Sequence, residues 1–275
     1  MMNKKSYKSI ATFHNIYSGD MFLKKMYNKG LAKMDYIISI SEFVKDEIIK
    51  KYKINPQKIS TIYRGVDTDY FIDQVSEKDL QNFLIKFSIN REKKIILYPA
   101  RLTAWKGQID ILNVARKIAK DNLIIYFVGD AKNISFYNLL QKKISDTNLE
   151  NICKILGNLT TKELKIMYFI SDLILSTPNK PEGFGRIISE ALSMKKMILA
   201  FNYGGVKDQL NRLDSIYKAE PLNYDILDQK INTILSLSKE EKNNLSKKGR
   251  EHVVKFFSKK KMVYNYKNFY ESKAI

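Results

Sequence analysis

Residues 94 to 107 read KIILYPARLTAWKG, and residues 123 to 130 read LIIYFVGD. Each opens with an unbroken apolar run that lacks the alternation of a half-exposed strand, so each predicts a strand covered on both faces. Between them, Gln108 to Lys120 predicts a helix, with apolar residues at Ile111, Leu112, Ala115, Ile118 and Ala119. A strand, a helix and a second strand in this order form a crossover unit, the connection that parallel strands require.

The same pattern continues toward the C-terminus. Helices are expected at Ser135 to Ser145, Thr161 to Phe169 and Gly185 to Ser193, and strands at Ile152 to Leu156, Leu173 to Ser176 and Met197 to Ala200. Toward the N-terminus, Met34 to Ser41 predicts a strand. Ser41 then caps a helix that has Asp46 and Glu47 in its early turns and runs to about Tyr52. Asn55-Pro56 breaks it, Lys58 to Tyr63 predicts another strand, and Arg64-Gly65-Val66-Asp67 predicts a turn. The fold class is therefore α/β, with a doubly wound, Rossmann-like domain over about 93–240 and a helical tail rich in Lys, Tyr and Phe.

Composition narrows the function classes. In 275 residues there is one cysteine, Cys153, so an internal disulfide and a cysteine metal cluster are excluded. The two histidines, His14 and His252, offer no histidine-rich metal site. No apolar run approaches the roughly 20 residues of a membrane helix. The basic start, Met1 to Lys5, is not followed by a long apolar segment, so a signal peptide is not expected and the cytoplasm is. The net charge of +19 has two readings. It would draw the chain to an anionic membrane face or a phosphorylated lipid acceptor, or it reflects a composition rich in Lys, Ile and Asn. No recognisable nucleic-acid module accompanies the charge, and nucleic acid is not an expected partner.

Four stretches carry the chemistry, each at the carboxyl end of an expected strand, where open α/β sheets bind ligands. In Pro99 to Gly107, Arg101 and Lys106 lie five residues apart on one loop and could clasp a diphosphate. Taken alone, the stretch reads first as a solvated basic loop. In Pro181 to Glu190, Gly183 and Gly185 let the backbone approach a ligand, and the helix that follows aims its free N–H groups at an anion. Glu182 and Glu190 could accept hydrogen bonds from sugar hydroxyls, although Glu190 in isolation reads as a surface helix residue. Asn202-Tyr203-Gly204-Gly205-Val206 is either a close backbone approach or a plain turn, and Gly157-Asn158-Leu159 could floor a nucleotide base.

In this order the stretches resemble the retaining glycosyltransferases of family 4, whose pattern is Gly-Arg-Leu…Lys-Gly, then Glu-Gly-Phe-Gly…Glu, then Gly-Gly. Here Glu182-Gly183-Phe184-Gly185…Glu190 keeps seven residues between the glutamates, while Ala100 replaces the first glycine of the first motif. Thr12 to Asn15, Ile40 to Val44, Arg64 to Asp67 and Pro178 also look like family segments. The resemblance implies a GT-B fold. Residues 1–70 would be a remnant of an N-terminal acceptor-side domain, 71–92 a connector and 93–240 the donor-binding domain. Residues 241–275 would form a helical tail packing back toward the N-terminal part.

It also implies roles. Arg101 and Lys106 would neutralise the diphosphate, and Glu182 would sit beside the donor sugar. The backbone from Gly183 through Phe184 and Gly185 to Ile187 would contact sugar and phosphate, and Glu190 would bind ribose. His14 would face the sugar across the cleft, whereas His252 reads as structural. The reaction would retain anomeric configuration and need no metal or other cofactor. Asp67-Thr68-Asp69 has the form of a metal motif but stands at the interdomain turn. The expected partners are a nucleotide-sugar donor and a sugar or lipid-linked acceptor of the envelope, lipopolysaccharide included, with peripheral contact at the inner membrane face.

Against the family pattern, about 100 residues, most of a typical domain, are expected upstream of this sequence. A separate N-terminal half, a split gene or a truncated record would each account for that. The alternative to a transferase is therefore a catalytically silent nucleotide-sugar-binding fragment.

Overall fold

The computed structural model describes residues 7–15, 22–118 and 122–273, so the expectations placed on Met1 to Lys5, on Ala119 and Lys120 and on the last two residues lie outside the described residues. Two parallel sheets form the scaffold. The smaller comes from β1 (Ile10–Phe13), α1 (Phe22–Ala32), β2 (Tyr36–Ser39), α2 (Glu42–Tyr52) and β3 (Ile59–Thr61), with strand order β1-β2-β3. Ser41 begins α2 as expected, its hydroxyl accepting the Val44 N–H.

After α3 (Glu77–Phe87) the larger sheet is wound from β4 (Lys94–Pro99), α4 (Gln108–Ile118), β5 (Leu123–Val128), α5 (Ile134–Asp146) and β6 (Cys153–Gly157). It continues through α6 (Thr161–Ile170), β7 (Leu173–Ser176), α7 (Arg186–Ser193), β8 (Ile198–Phe201), α8 (Gly205–Leu210) and β9 (Lys218–Ala219). The six strands lie in the order β6-β5-β4-β7-β8-β9, and every pairing is parallel. Every residue of β5, β7 and β8 is buried, which is why these runs show no alternation. The chain winds outward from β4 through β5 to β6, then returns to the other side of β4 to lay down β7. The crevice between the carboxyl ends of β4 and β7 is thus the switch point of a doubly wound sheet.

Three helices close the chain: α9 (Tyr224–Ser236), α10 (Lys239–Phe256) and α11 (Lys259–Lys273). Between α10 and α11 the chain returns to the small sheet. Val66 N–H donates to Phe257 O and Lys259 N–H to Val66 O, and Val66 bridges Ser258. The turn expected at Arg64-Gly65-Val66-Asp67 is therefore an extended crossing; its pairing partner lies almost two hundred residues away in sequence, so no local turn bond closes it. From there α11 seals the small sheet, with Phe269, Met262 and Tyr266 packed on Ile38 and Ile62. Among the described residues no helix is long and apolar enough to cross a membrane.

Candidate functional site

At the switch point a cleft of about 490 Å³ opens, lined by Arg101, Lys106, Asp130, Asn158, Arg186 and Glu190 among others. The β4 run ends at Pro99, and the chain turns through Ala100, which is not among the residues with positive φ. Alanine thus replaces the family's glycine there without backbone strain. Arg101 is exposed at the rim, its carbonyl held by the Gln108 side-chain amide at 2.8 Å. A short 3-10 turn, Ala104–Lys106, folds the loop back and buries Lys106.

Lys106 does not stand free. Its ammonium is paired with the Glu182 carboxylate and lies 4.3 Å from the centre of the Trp105 ring. With side-chain exposures of 10% and 13%, both partners are largely out of water. The clasp expected of Arg101 and Lys106 is thus half engaged by a glutamate of the neighbouring loop. Glu182 meets the cleft through this pair rather than by lining it.

The loop carrying Glu182 is braced from three sides. Gly183 lies so close to the N-terminal part that a Cβ there would meet the His14 carbonyl at 2.7 Å, and Ser41 Oγ donates to Gly183 O at 2.6 Å. On the opposite side, a Cβ on Gly205 would stand 2.2 Å from Gly183 O, and Gly205 N–H donates to Glu182 O at 2.8 Å. The paired glycines at 204 and 205, open in sequence between a turn and a close approach, make a close approach. Finally, the Gln209 side chain of α8 donates to the carbonyls of Phe184 and Gly185 and accepts from Ser189 Oγ. Phe184 is buried beneath the loop, and Gly185 begins α7 as its N-cap. Ile187 and Glu190 follow into the cleft wall.

Glu190 is 3% exposed and fully engaged. Its Oε1 accepts from Arg186 Nε at 3.1 Å and Nη2 at 2.7 Å, and its Oε2 accepts from the Tyr168 hydroxyl at 3.0 Å. Burial pushes the Tyr168 phenol well above its ordinary value, and the adjacent carboxylate adds to the shift, so this hydroxyl stays a donor. The hydrogen bond from Arg186 to Glu190 raises the guanidinium further. Sequence reading missed both partners. Arg186 and Glu190 stand at i and i+4 on one helix, a spacing that favours pairing and could have revealed the arginine. No local pattern points to Tyr168.

His14 lies at the end of β1 with an exposed side chain and backs onto Gly183, outside the cleft lining. Partial burial, with Arg64 nearby, lowers its pKa and favours neutral imidazole. His252 is buried in α10 and bonded to the Gln209 carbonyl. The carboxylates of Asp67 and Asp69 face Lys259 and Lys260 of α11 at 3.4 and 2.9 Å.

The family described as Glycosyl transferases group 1 matches residues 81–252, and that described as Glycosyltransferase Family 4 matches residues 1–70. A trehalose synthase of Thermococcus litoralis is 26% identical over 198 residues, covering 68% of this chain and 46% of its own length. The O-antigen chain mannosyltransferase RfbU of Salmonella typhimurium is 25% identical over 197 residues, covering 68% of this chain and 50% of its own. The chain thus spans about half the length of these curated relatives. Among solved structures, a glycosyltransferase of Rickettsia africae superposes with a TM-score of 0.86 at 32% identity, over 96% of this chain and 70% of its own. The Anabaena protein HepE, solved with UDP and glucose, superposes with a TM-score of 0.81 at 20% identity, over 96% of this chain and 71% of its own, which bears on the fold.

Proposed function

The chain belongs to the group 1 glycosyl transferases, and from that premise we propose that it moves a sugar from a nucleotide-sugar donor to an envelope lipid or polysaccharide, with retention of configuration. The observation carrying this reading is the switch-point cleft, where Arg101, Lys106 and Arg186 surround a buried carboxylate, Glu190. Cations and a carboxylate at one crevice suit a ligand that carries both a diphosphate and vicinal hydroxyls. RfbU, by its name a mannosyltransferase of the O-antigen chain, supports an envelope acceptor.

In this reading Arg101 takes one phosphate of the donor. Lys106 takes the other as its bond to Glu182 loosens, which leaves Glu182 beside the sugar. The free N–H groups at the start of α7 face the same phosphates, and Glu190 accepts from the ribose hydroxyls. As the bond from the anomeric carbon to the phosphate oxygen breaks, the acceptor hydroxyl oxygen attacks from the same face, and the departing phosphate takes its proton. Preorganised cations and amides stabilise the charge that develops on that phosphate. Neutral His14, next to Gly183, faces the sugar side. Every step is assigned to side chains and backbone, without a metal.

Peripheral contact with an anionic membrane face completes the proposal. Leu23, Met26 and Tyr27 are exposed along one side of α1, with Lys29 and Lys33 beside them, a pairing that suits a charged lipid surface.

Calorimetric titration with UDP, GDP and their sugar conjugates, followed by a hydrolysis assay, tests the reading. Saturable binding of one nucleotide, lost in Arg101→Ala, is expected. Binding without turnover in the presence of acceptors would favour a donor-binding half that needs a separate partner. No binding of any nucleotide would overturn the proposal. Flotation with anionic but not neutral vesicles is the expected outcome for membrane contact.

A further inference from the structure

A second cavity, of about 430 Å³, lies between the loop that follows α8 and one side of α10, on the far side of α8 from the donor loop. It is lined by three cations, Arg212, Lys248 and Lys255. None of them forms a salt bridge among the described residues. Arg212 and Lys255 are gathered over the same ring, Phe256, at 4.7 and 5.2 Å from its centre. The three cations outnumber the two carboxylates, Asp214 and Glu251, that share the lining, so the cavity presents a net positive surface to an anion.

The cavity also has a group suited to hydroxyls. Glu251 lines it with an exposed carboxylate that forms no ion pair among the described residues. Asp214 lines it too, but its Oδ1 is turned to the Ile216 N–H at 2.8 Å. Tyr217 lines it too, but it is 1% exposed and its hydroxyl is buried beside Gly249 of α10, out of reach of a ligand in the cavity.

One wall of this cavity is wired to the donor loop. His252 meets the Gln209 carbonyl through Nε2 at 2.8 Å; a carbonyl can only accept, so Nε2–H donates. The side chain of the same Gln209 holds the carbonyls of Phe184 and Gly185. Helix α8 is therefore a short rod, with Gly205 braced on Glu182 at one end and the cavity loop at the other.

We propose that this cavity binds a small phosphorylated sugar, its phosphate on Arg212, Lys248 and Lys255 and its hydroxyls toward Glu251, and that Gln209 transmits its occupancy to the donor loop. Binding at the cavity stands by itself; the transmission rests on the donor reading given above.

The test uses the full chain and glucose 6-phosphate. In Arg101→Ala, which silences the cleft, calorimetry is expected to show one saturable site. Adding Arg212→Ala and Lys248→Ala, both at exposed positions, should weaken that site roughly tenfold or more, as expected for lost charge-assisted hydrogen bonds. No saturable binding, or affinity unchanged in the triple variant, overturns the site. For the transmission, UDP affinity of the unsubstituted chain should shift by about threefold or more on saturation with glucose 6-phosphate, and Arg212→Ala/Lys248→Ala should abolish the shift. Unchanged UDP affinity overturns the coupling. A chain that binds glucose 6-phosphate but no UDP would instead overturn the donor reading and leave the cavity standing.

Discussion

Two acid–base pairs flank the cleft, and they are built in opposite ways. Lys106 and Glu182 meet across two loops, both nearly out of water, with side-chain exposures of 10% and 13%. Arg186 and Glu190 meet along one turn of helix, with the guanidinium 61% exposed and the carboxylate 4%. In the first pair each charge depends on the other for compensation. In the second, the acid is buried and the base is solvated, and a neutral phenol from Tyr168 shares the acid. The loop pair therefore governs whether the loop carrying Glu182 keeps its shape, and the helix pair governs how the Glu190 carboxylate is held at the cleft wall.

Breaking the loop pair should have the largest effect. Glu182→Ala leaves the Lys106 ammonium buried without a counter-charge, and removing one partner of such a pair destabilises by about 3–5 kcal/mol. The denaturation midpoint should fall accordingly. Lys106→Met/Glu182→Leu removes both charges and should recover most of that loss while leaving UDP binding impaired. A double variant no more stable than Glu182→Ala would show that the pair is not the source of the effect.

Glu190→Ala comes next. It strips the buried Tyr168 hydroxyl of its acceptor, which is expected to cost about 1–3 kcal/mol. It also removes the proposed ribose acceptor, so UDP affinity should fall by roughly tenfold or more, on the scale of a lost charge-assisted hydrogen bond. Lost stability with unchanged UDP affinity would make Glu190 a structural residue that happens to line the cleft.

How visible these features were in the sequence follows from their range. Strands β4, β5 and β7 were legible to the residue, because full burial writes itself as an uninterrupted apolar run bounded by Gly, Pro or polar residues. Ser41 was legible as a cap because capping is local. The second task of the same hydroxyl, its bond to Gly183 O, spans 142 positions and leaves no local trace. Gln209 and Tyr168 went unseen for that reason, and so did the pairing of Val66 with Ser258 behind the residues read as a turn. Helix α1 has no acidic residue in its first turn to mark its start, although Leu23, Met26 and Tyr27 fall at helical spacing, and β9, at two residues, is too short to show a period. Glycine spacing marked the loop that comes closest to its neighbours, at Gly183 and Gly205. It could not reveal that Lys106 is already paired, since that depends on how two loops fold over one another.

The smallest effect, and the sharpest test of the contrast, should come from Arg186→Ala. The guanidinium is 61% exposed, but the carboxylate it bonds is 4% exposed, so the stability loss should exceed that of a solvent-exposed i, i+4 pair and stay at about 1 kcal/mol, well below the loss in Glu182→Ala. Glu190 keeps its bond from Tyr168 and stays in place. Donor binding tells more, because the guanidinium lines the cleft and offers N–H groups that can turn from the carboxylate to a phosphate. UDP affinity should fall by about threefold at low salt, and the difference from the unsubstituted chain should shrink as salt is raised. The Glu182→Ala stability loss, which concerns charges held out of water, should persist at the same salt. If instead UDP binds more tightly to Arg186→Ala, the arginine competes with ribose for Glu190, and the helix pair acts as a latch that the donor must open. If Arg186→Ala destabilises the chain as much as Glu182→Ala does, the two pairs are energetically alike, and exposure does not separate their roles.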